Sequence, residues 1–83
     1  MTIAVRLFAR AKDLAGAESV AVALPEHATV AELRRRLAAD HPKLASLLEH
    51  CAFAVNDEFA DDASPLPAAA VVALLPPVSG GYV

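Results

Sequence analysis

The sequence predicts an α+β roll, a mixed sheet packed on one main helix, and three observations carry that prediction. Apolar residues alternate at 2–8 and again at 19–24, and a continuous apolar run, Val71-Val72-Ala73-Leu74-Leu75, comes near the end. One segment of helical spacing, starting at Val30, lies between them. Turn-forming residues separate the segments, so strands and helix succeed one another within 83 residues. A helix laid across a sheet is the economical way to cover one sheet face in so short a chain.

Each element has its own justification. In residues 2–8, Ile3, Val5 and Leu7 fall on one face and Ala4, Arg6 and Phe8 on the other, as in a half-buried strand. Residues 9–15 are rich in helix formers and stop at Gly16, which suggests a short helical turn. Val20, Val22 and Leu24 alternate in the next strand, and Pro25 closes it. Thr29-Val30-Ala31-Glu32 matches a capping box, in which the Thr hydroxyl and the Glu carboxylate satisfy free backbone amides. Val30, Leu33, Leu37 and Ala38 then form one apolar stripe. His41-Pro42 ends that helix, because a proline pushes the residue before it away from helical angles. Residues 43–49 predict a second short helical piece with Leu44, Leu47 and Leu48 turned inward. Residues 51–55 read as a strand, Asn56-Asp57 as a turn and 58–60 as a short return strand. An acidic, proline-containing loop follows at 61–69. The unbroken apolar run at 71–75 predicts a central strand buried on both faces.

Bulk properties narrow the function classes. A chain of this length holds one domain near the lower size at which a single core suffices. With 57% hydrophobic residues and only 3 Gly and 6 Pro, it has the composition of a folded chain. The single cysteine forms no internal disulfide and fits a reducing cytoplasm. No apolar run approaches the roughly 18 residues that span a bilayer, and the N-terminus lacks the basic-then-apolar order of a signal peptide. A net charge of -3 argues against nucleic acid as ligand. The expectation is a soluble cytoplasmic protein without membrane or nucleic-acid partners.

The chain divides into a domain at 1–75 and a tail at 76–83. Pro76-Pro77 fixes φ and biases the tail towards an extended form, and Gly80-Gly81 supplies a tip without side chains. From Pro76 to Gly81 such an arm reaches about 20 Å at roughly 3.3 Å per residue. A slim, stiff arm of this kind can thread a narrow channel and deliver a terminal carboxylate to another protein's active site. Here Tyr82-Val83 follow the two glycines.

These residues resemble a known family. Val5-Arg6-Leu7-Phe8-Ala9, Lys12-Asp13-Leu14-Ala15-Gly16, Thr29-Val30-Ala31-Glu32-Leu33, Ala54-Val55-Asn56 and Val72-Ala73-Leu74-Leu75-Pro76-Pro77-Val78-Ser79-Gly80-Gly81 are similar to the small, sulfur-carrying subunit of molybdopterin synthase, a ubiquitin-like β-grasp family. The resemblance covers nearly the whole chain and implies a β-grasp fold. It implies further that Gly81 is the reactive residue and that Gly80 gives clearance to enter the partner's channel. In that family an ATP-dependent adenylating enzyme of the ubiquitin-activating type converts the terminal Gly carboxylate to an acyl-adenylate. Sulfur then replaces the adenylate. The resulting thiocarboxylate donates sulfur to cyclic pyranopterin monophosphate in the large catalytic subunit, within a heterotetramer. The small subunit binds no cofactor of its own, since ATP belongs to the activating enzyme. The resemblance also implies that Phe8, Lys12, Leu75, Pro76, Pro77, Val78 and Ser79 contact partners. Two departures stand out. Tyr82-Val83 lock Gly81 in an amide, so a processing peptidase is expected to remove them. Pro67-Ala68-Ala69-Ala70 replaces the acidic, Gly-containing turn of relatives in a surface loop.

Other readings remain open beside this one. Carriers feeding cysteine, thiamine or tRNA thiolation share the fold and the Gly-Gly logic, and a ubiquitin-like binding or modifier domain carries no sulfur at all. An independent enzyme has the least support, since no Ser-His-Asp or Cys-His constellation is readable. Cys51 reads as a small buried hydrophobe. His27, His41 and His50 lack ligand spacing, so no metal site is expected. Arg34-Arg35-Arg36 reads as a solvated helix face. Leu75 reads equally as core or as interface.

Overall fold

The period-two pattern of residues 2–8 becomes a strand, β1 (Thr2–Leu7), with Ile3, Val5 and Leu7 buried and Thr2, Ala4 and Arg6 exposed. The computed structural model describes residues 1–75. After β1 come α1 (Ala9–Ala15), β2 (Ser19–Ala23) and the main helix α2 (Val30–Asp40). A 3₁₀ turn (Pro42–Leu44) runs into α3 (Ala45–Leu48), and β3 (Ala52–Val55), β4 (Glu58–Ala60) and β5 (Val71–Leu75) complete the order. The five strands form one sheet in the order β2-β1-β5-β3-β4. β1 and β5 run parallel and all other neighbours antiparallel, so the sheet is mixed as expected.

Local chemistry sets the boundaries. α1 ends at Gly16, whose φ of 71° is left-handed and whose amide donates to the Lys12 carbonyl at 2.9 Å. The capping box is formed: Glu32 N donates to Thr29 Oγ1 at 3.3 Å, and Thr29 N donates to Glu32 Oε1 at 3.1 Å. Two further α2 amides, of Val30 and Ala31, donate to Ser64 and Asp62 carbonyls in the loop before β5, each at 3.0 Å. Asn56 and Asp57 have φ of 50° and 71°, the pairing a two-residue hairpin demands. Asn56 N donates to the Val71 carbonyl and Asn56 Oδ1 accepts from Val71 N, so the hairpin turn is tied to the start of β5.

The core lies between α2 and one face of the sheet. Val30, Leu33 and Leu37 of α2 are fully buried against Ile3, Val5, Val22, Phe53, Val72 and Leu74. Leu44 and Leu48 close one side. Cys51 is buried as expected, although β3 begins one residue later, at Ala52.

Two expectations are corrected. β5 is central, but only Val72 and Leu74 are buried; Val71 is 52% exposed, and Ala73 and Leu75 are half-buried. The helices lie on one side of the sheet only, and an unbroken apolar run cannot reveal that. The arginine run is also not uniform. Arg35 and Arg36 are exposed, whereas the Arg34 side chain is only 23% exposed. Arg34 Nη1 donates to the Leu48 carbonyl and, at 3.0 Å, to the Cys51 carbonyl, while Nη2 pairs with Asp62 Oδ1 at 2.8 Å. Its guanidinium also lies 5.0 Å from the Phe53 ring centroid. One side chain thus ties α2 to α3, to the start of β3 and to the loop before β5. Replacing it orphans two carbonyls and removes the cation–π contact. Arg34→Ala is therefore expected to lower the unfolding free energy by about 2–4 kcal/mol, read by urea denaturation. Arg34→Lys should recover less than half of that, because an ammonium cannot fork between acceptors. A loss below about 0.5 kcal/mol for Arg34→Ala, the level of an ordinary surface change, would overturn the clamp.

Candidate functional site

The uncovered face of the sheet and the root of the tail meet at one end of the molecule. Register places Arg6 opposite Ala73 on β5 and Ser19 on β2, and Ala73 opposite Ala54 on β3. Phe59 on β4 stands opposite Ala54. Alternation therefore puts Ala4, Ala21, Ala52, Ala54, Ala73, Val71, Leu75 and Phe59 on the same side of the sheet, away from α2. Among the described residues, only Thr2, Arg6 and Ser19 are polar at strand positions of this side. Small alanines make a shallow floor, and the large apolar groups stand out from it: Phe59 is 79% exposed, Val71 52% and Phe8 41%. An exposed apolar surface of this kind makes this side of the sheet the candidate interaction face.

Parallel pairing fixes where the tail begins. Leu7 pairs with Leu74, so β1 and β5 end side by side, and Phe8 leaves β1 beside Leu75, the last residue of β5, which still pairs with Ala52. Ala9 turns the chain out of β1 with φ of 50°, a left-handed angle that an L-residue adopts at a cost of about 1–2 kcal/mol. Strain of this sort is retained where its geometry is used. The Phe8 ring lies 6.0 Å from the Arg6 guanidinium carbon. Lys12, one turn into α1, lines a recess with Arg6, Phe8, Glu18 and Ser19, and its Nζ is 3.9 Å from Glu18 Oε2.

Of the residues expected at the site, Phe8, Lys12 and Leu75 are thus gathered at the tail root. Leu75 is half-buried on the open face. Pro76, Pro77, Val78, Ser79, Gly80 and Gly81 lie outside the described residues, as do Tyr82 and Val83. Sequence reasoning misses Phe59, because its three-residue strand is too short to show alternation; its only signal is a large aromatic beside the Asn56-Asp57 turn. Cys51 offers no sulfur relay. Burial pushes its thiol pKa up, and Arg34 opposes this only in part, so the thiol stays protonated at neutral pH. Among the described residues no three His, Cys, Asp or Glu side chains cluster as a metal site would require, and no helix is long and apolar enough to cross a membrane.

A model described as the ThiS family matches residues 5–81. The chain belongs to the ThiS family. The matched stretch of this ThiS-family chain ends at Gly81, leaving Tyr82 and Val83 beyond it. A molybdopterin synthase sulfur carrier subunit from Chlamydomonas reinhardtii is 35% identical over 83 residues, covering 98% of this chain and 100% of that one. Among solved structures, SAMP1 from Haloferax volcanii has a TM-score of 0.84 at 30% identity, over 98% of this chain and 100% of that chain. A chain from the complex of subunits 1 and 2 of the molybdopterin-converting factor of Helicobacter pylori has a TM-score of 0.69 at 33% identity, again over 98% and 100%. The resemblance to molybdopterin synthase small subunits and the β-grasp fold it implied are both borne out across the chain.

Proposed function

We propose that this chain is the sulfur-carrier subunit of a molybdopterin synthase. The observation that carries the reading is its end-to-end similarity to the algal sulfur carrier subunit, with Gly80-Gly81 inside the stretch that the family model matches. The open apolar face beside the tail root supports this reading, and the Helicobacter chain to which this one is similar comes from a complex of two subunits. On this reading the large catalytic subunit covers that face and receives the tail.

The chemistry needs little from the domain beyond presentation. A carboxylate is a poor acyl donor, so the activating enzyme first joins the Gly81 carboxylate to the α-phosphate of ATP and releases pyrophosphate. A reduced sulfur nucleophile then attacks the carbonyl carbon and AMP leaves, which gives the thiocarboxylate. That sulfur passes to cyclic pyranopterin monophosphate in the large subunit, and two such transfers complete the dithiolene. The chain acts as a sulfur-donating subunit and not as a free-standing catalyst, and it works in the cytoplasm. ATP is used by the activating enzyme, and the carrier itself holds no cofactor. Gly81 must become the terminus, so a peptidase removes Tyr82-Val83.

The test is the intact mass of protein recovered from its native cell, before and after incubation with activating enzyme, ATP and a sulfur donor. The expected species ends at Gly81 and gains the mass difference of one sulfur for one oxygen. A mass that always includes Tyr82-Val83 and never shifts would sink the carrier reading. The likeness to a structure described as small archaeal modifier protein 1 favours a second reading, in which the same tail is joined to lysines of other proteins. A ladder of conjugates on a blot, with no sulfur-loaded species, would favour it over the first.

A further inference from the structure

Arg6 is the only charged residue whose strand position lies on the open face, among the described residues, and nothing there neutralises it. Its cross-strand neighbours are Ala73 and Ser19. The ion pairs of the described residues use Lys12, Arg34 and Arg36 as cations, and Arg6 takes part in none. Glu18 lines the same recess, but its carboxylate is turned to Lys12. The guanidinium is held over the Phe8 ring at 6.0 Å, beside the tail root. It therefore stands where the apolar face meets the recess it shares with Lys12, Glu18 and Ser19, and among the described residues no acceptor takes its hydrogen-bond donors.

Covering the face takes this cation out of water. An all-apolar partner surface would leave the guanidinium buried without an acceptor, a penalty that outweighs the benefit of burying the apolar side chains around it. A carboxylate set opposite Arg6 reverses the sign, because the planar fork accepts a bidentate partner. The geometry points to Arg6 as the specificity-determining residue of the docking face, taking an Asp or Glu that the large synthase subunit carries within an otherwise apolar footprint. This rests on the carrier reading. The face then sorts partners by a penalty as well as by an attraction, since apolar surfaces lacking the acid are rejected.

The experiment is calorimetric titration of the chain into the large synthase subunit, with Arg6→Ala, Arg6→Lys, Arg6→Glu and, as reference, Phe59→Ala. Arg6 is exposed, so all its variants should melt with the parent protein, which a thermal scan verifies. Arg6→Ala is expected to weaken binding about 30-fold or more, and Arg6→Glu further still. Arg6→Lys should fall between Arg6→Ala and the parent, because it keeps charge without the fork. Changing the facing acid of the large subunit to Arg should restore binding to Arg6→Glu, a rescue that a purely structural role would not produce. If Arg6→Glu binds within about threefold of the parent while Phe59→Ala is weakened, Arg6 is no determinant and the docking face survives. If neither variant changes binding, the docking reading itself fails.

Discussion

Phe53→Ala is expected to cost most of the domain's stability, whereas Phe59→Ala should leave stability intact and cripple partner binding. The two phenylalanines sit on adjacent antiparallel strands, and alternation sends them to opposite sides of the sheet. Phe53 is 0% exposed; it stands opposite Leu74 and carries the Arg34 guanidinium over its ring. Its truncation opens a cavity in the middle of the core and removes that contact, at a cost of about 3–5 kcal/mol. A domain of this size has about 5–10 kcal/mol in total, so the variant should melt many degrees lower and populate unfolded chain near physiological temperature. Phe59 is 79% exposed, and its removal should change stability by no more than about 0.5 kcal/mol. An exposed aromatic standing over an alanine floor is nonetheless the kind of group on which an interface depends, and its loss is expected to weaken binding to the large subunit about 30-fold. Urea denaturation followed by circular dichroism reads the first effect, and titration calorimetry the second. Equal destabilisation by both variants would mean that the open face is covered within the monomer, and the docking surface would be lost with it.

That contrast also marks what is legible in the sequence. Ile3, Val5 and Leu7 repeat with period two over enough residues to define both a strand and its buried side. Thr29 and Glu32, Gly16 and Asn56-Asp57 announce boundaries because each has a local reason to be there, a cap or a left-handed angle. Phe59 lacks such a context, since three residues cannot establish a period. At 71–75 every position is apolar, so the pattern does not reveal that Val71, Ala73 and Leu75 face outward. Arg34, Arg35 and Arg36 are identical in type. What separates them is the position of Leu48, Cys51 and Asp62 in space, which no spacing along the chain encodes. The candidate site divides in the same way. Gly80-Gly81 after an apolar strand is local and readable, while the open face arises only when five strands from across the chain are laid side by side.

The largest functional effect expected is all-or-none, and it turns on which residue holds the terminal carboxylate. A chain ending at Gly81 should support ATP–pyrophosphate exchange by the activating enzyme, and the chain ending at Val83 should stay at background. Adenylation needs a free carboxylate oxygen to attack the α-phosphorus, and in the longer chain the Gly81 carbonyl is tied up in an amide with Tyr82. On the carrier reading the Val83 carboxylate is no substitute: two further residues add about 7 Å to an extended chain, and Tyr82 adds a bulky ring to a tip that Gly80-Gly81 would leave slim. A third chain, ending at Gly81 with Gly80→Leu, separates the two requirements. It keeps the carboxylate in position but widens the tip, and a misplacement of about 1 Å at a reacting centre can cost on the order of 100-fold in rate. Thermal scans of all three chains ensure that folded domains are being compared. Exchange by the Val83-ending chain at the rate of the Gly81-ending one would remove Gly81 from the chemistry. Normal exchange by Gly80→Leu would instead leave Gly81 in place and show that the channel does not demand a bare backbone, shifting recognition from the tip to the face around Phe8 and Phe59.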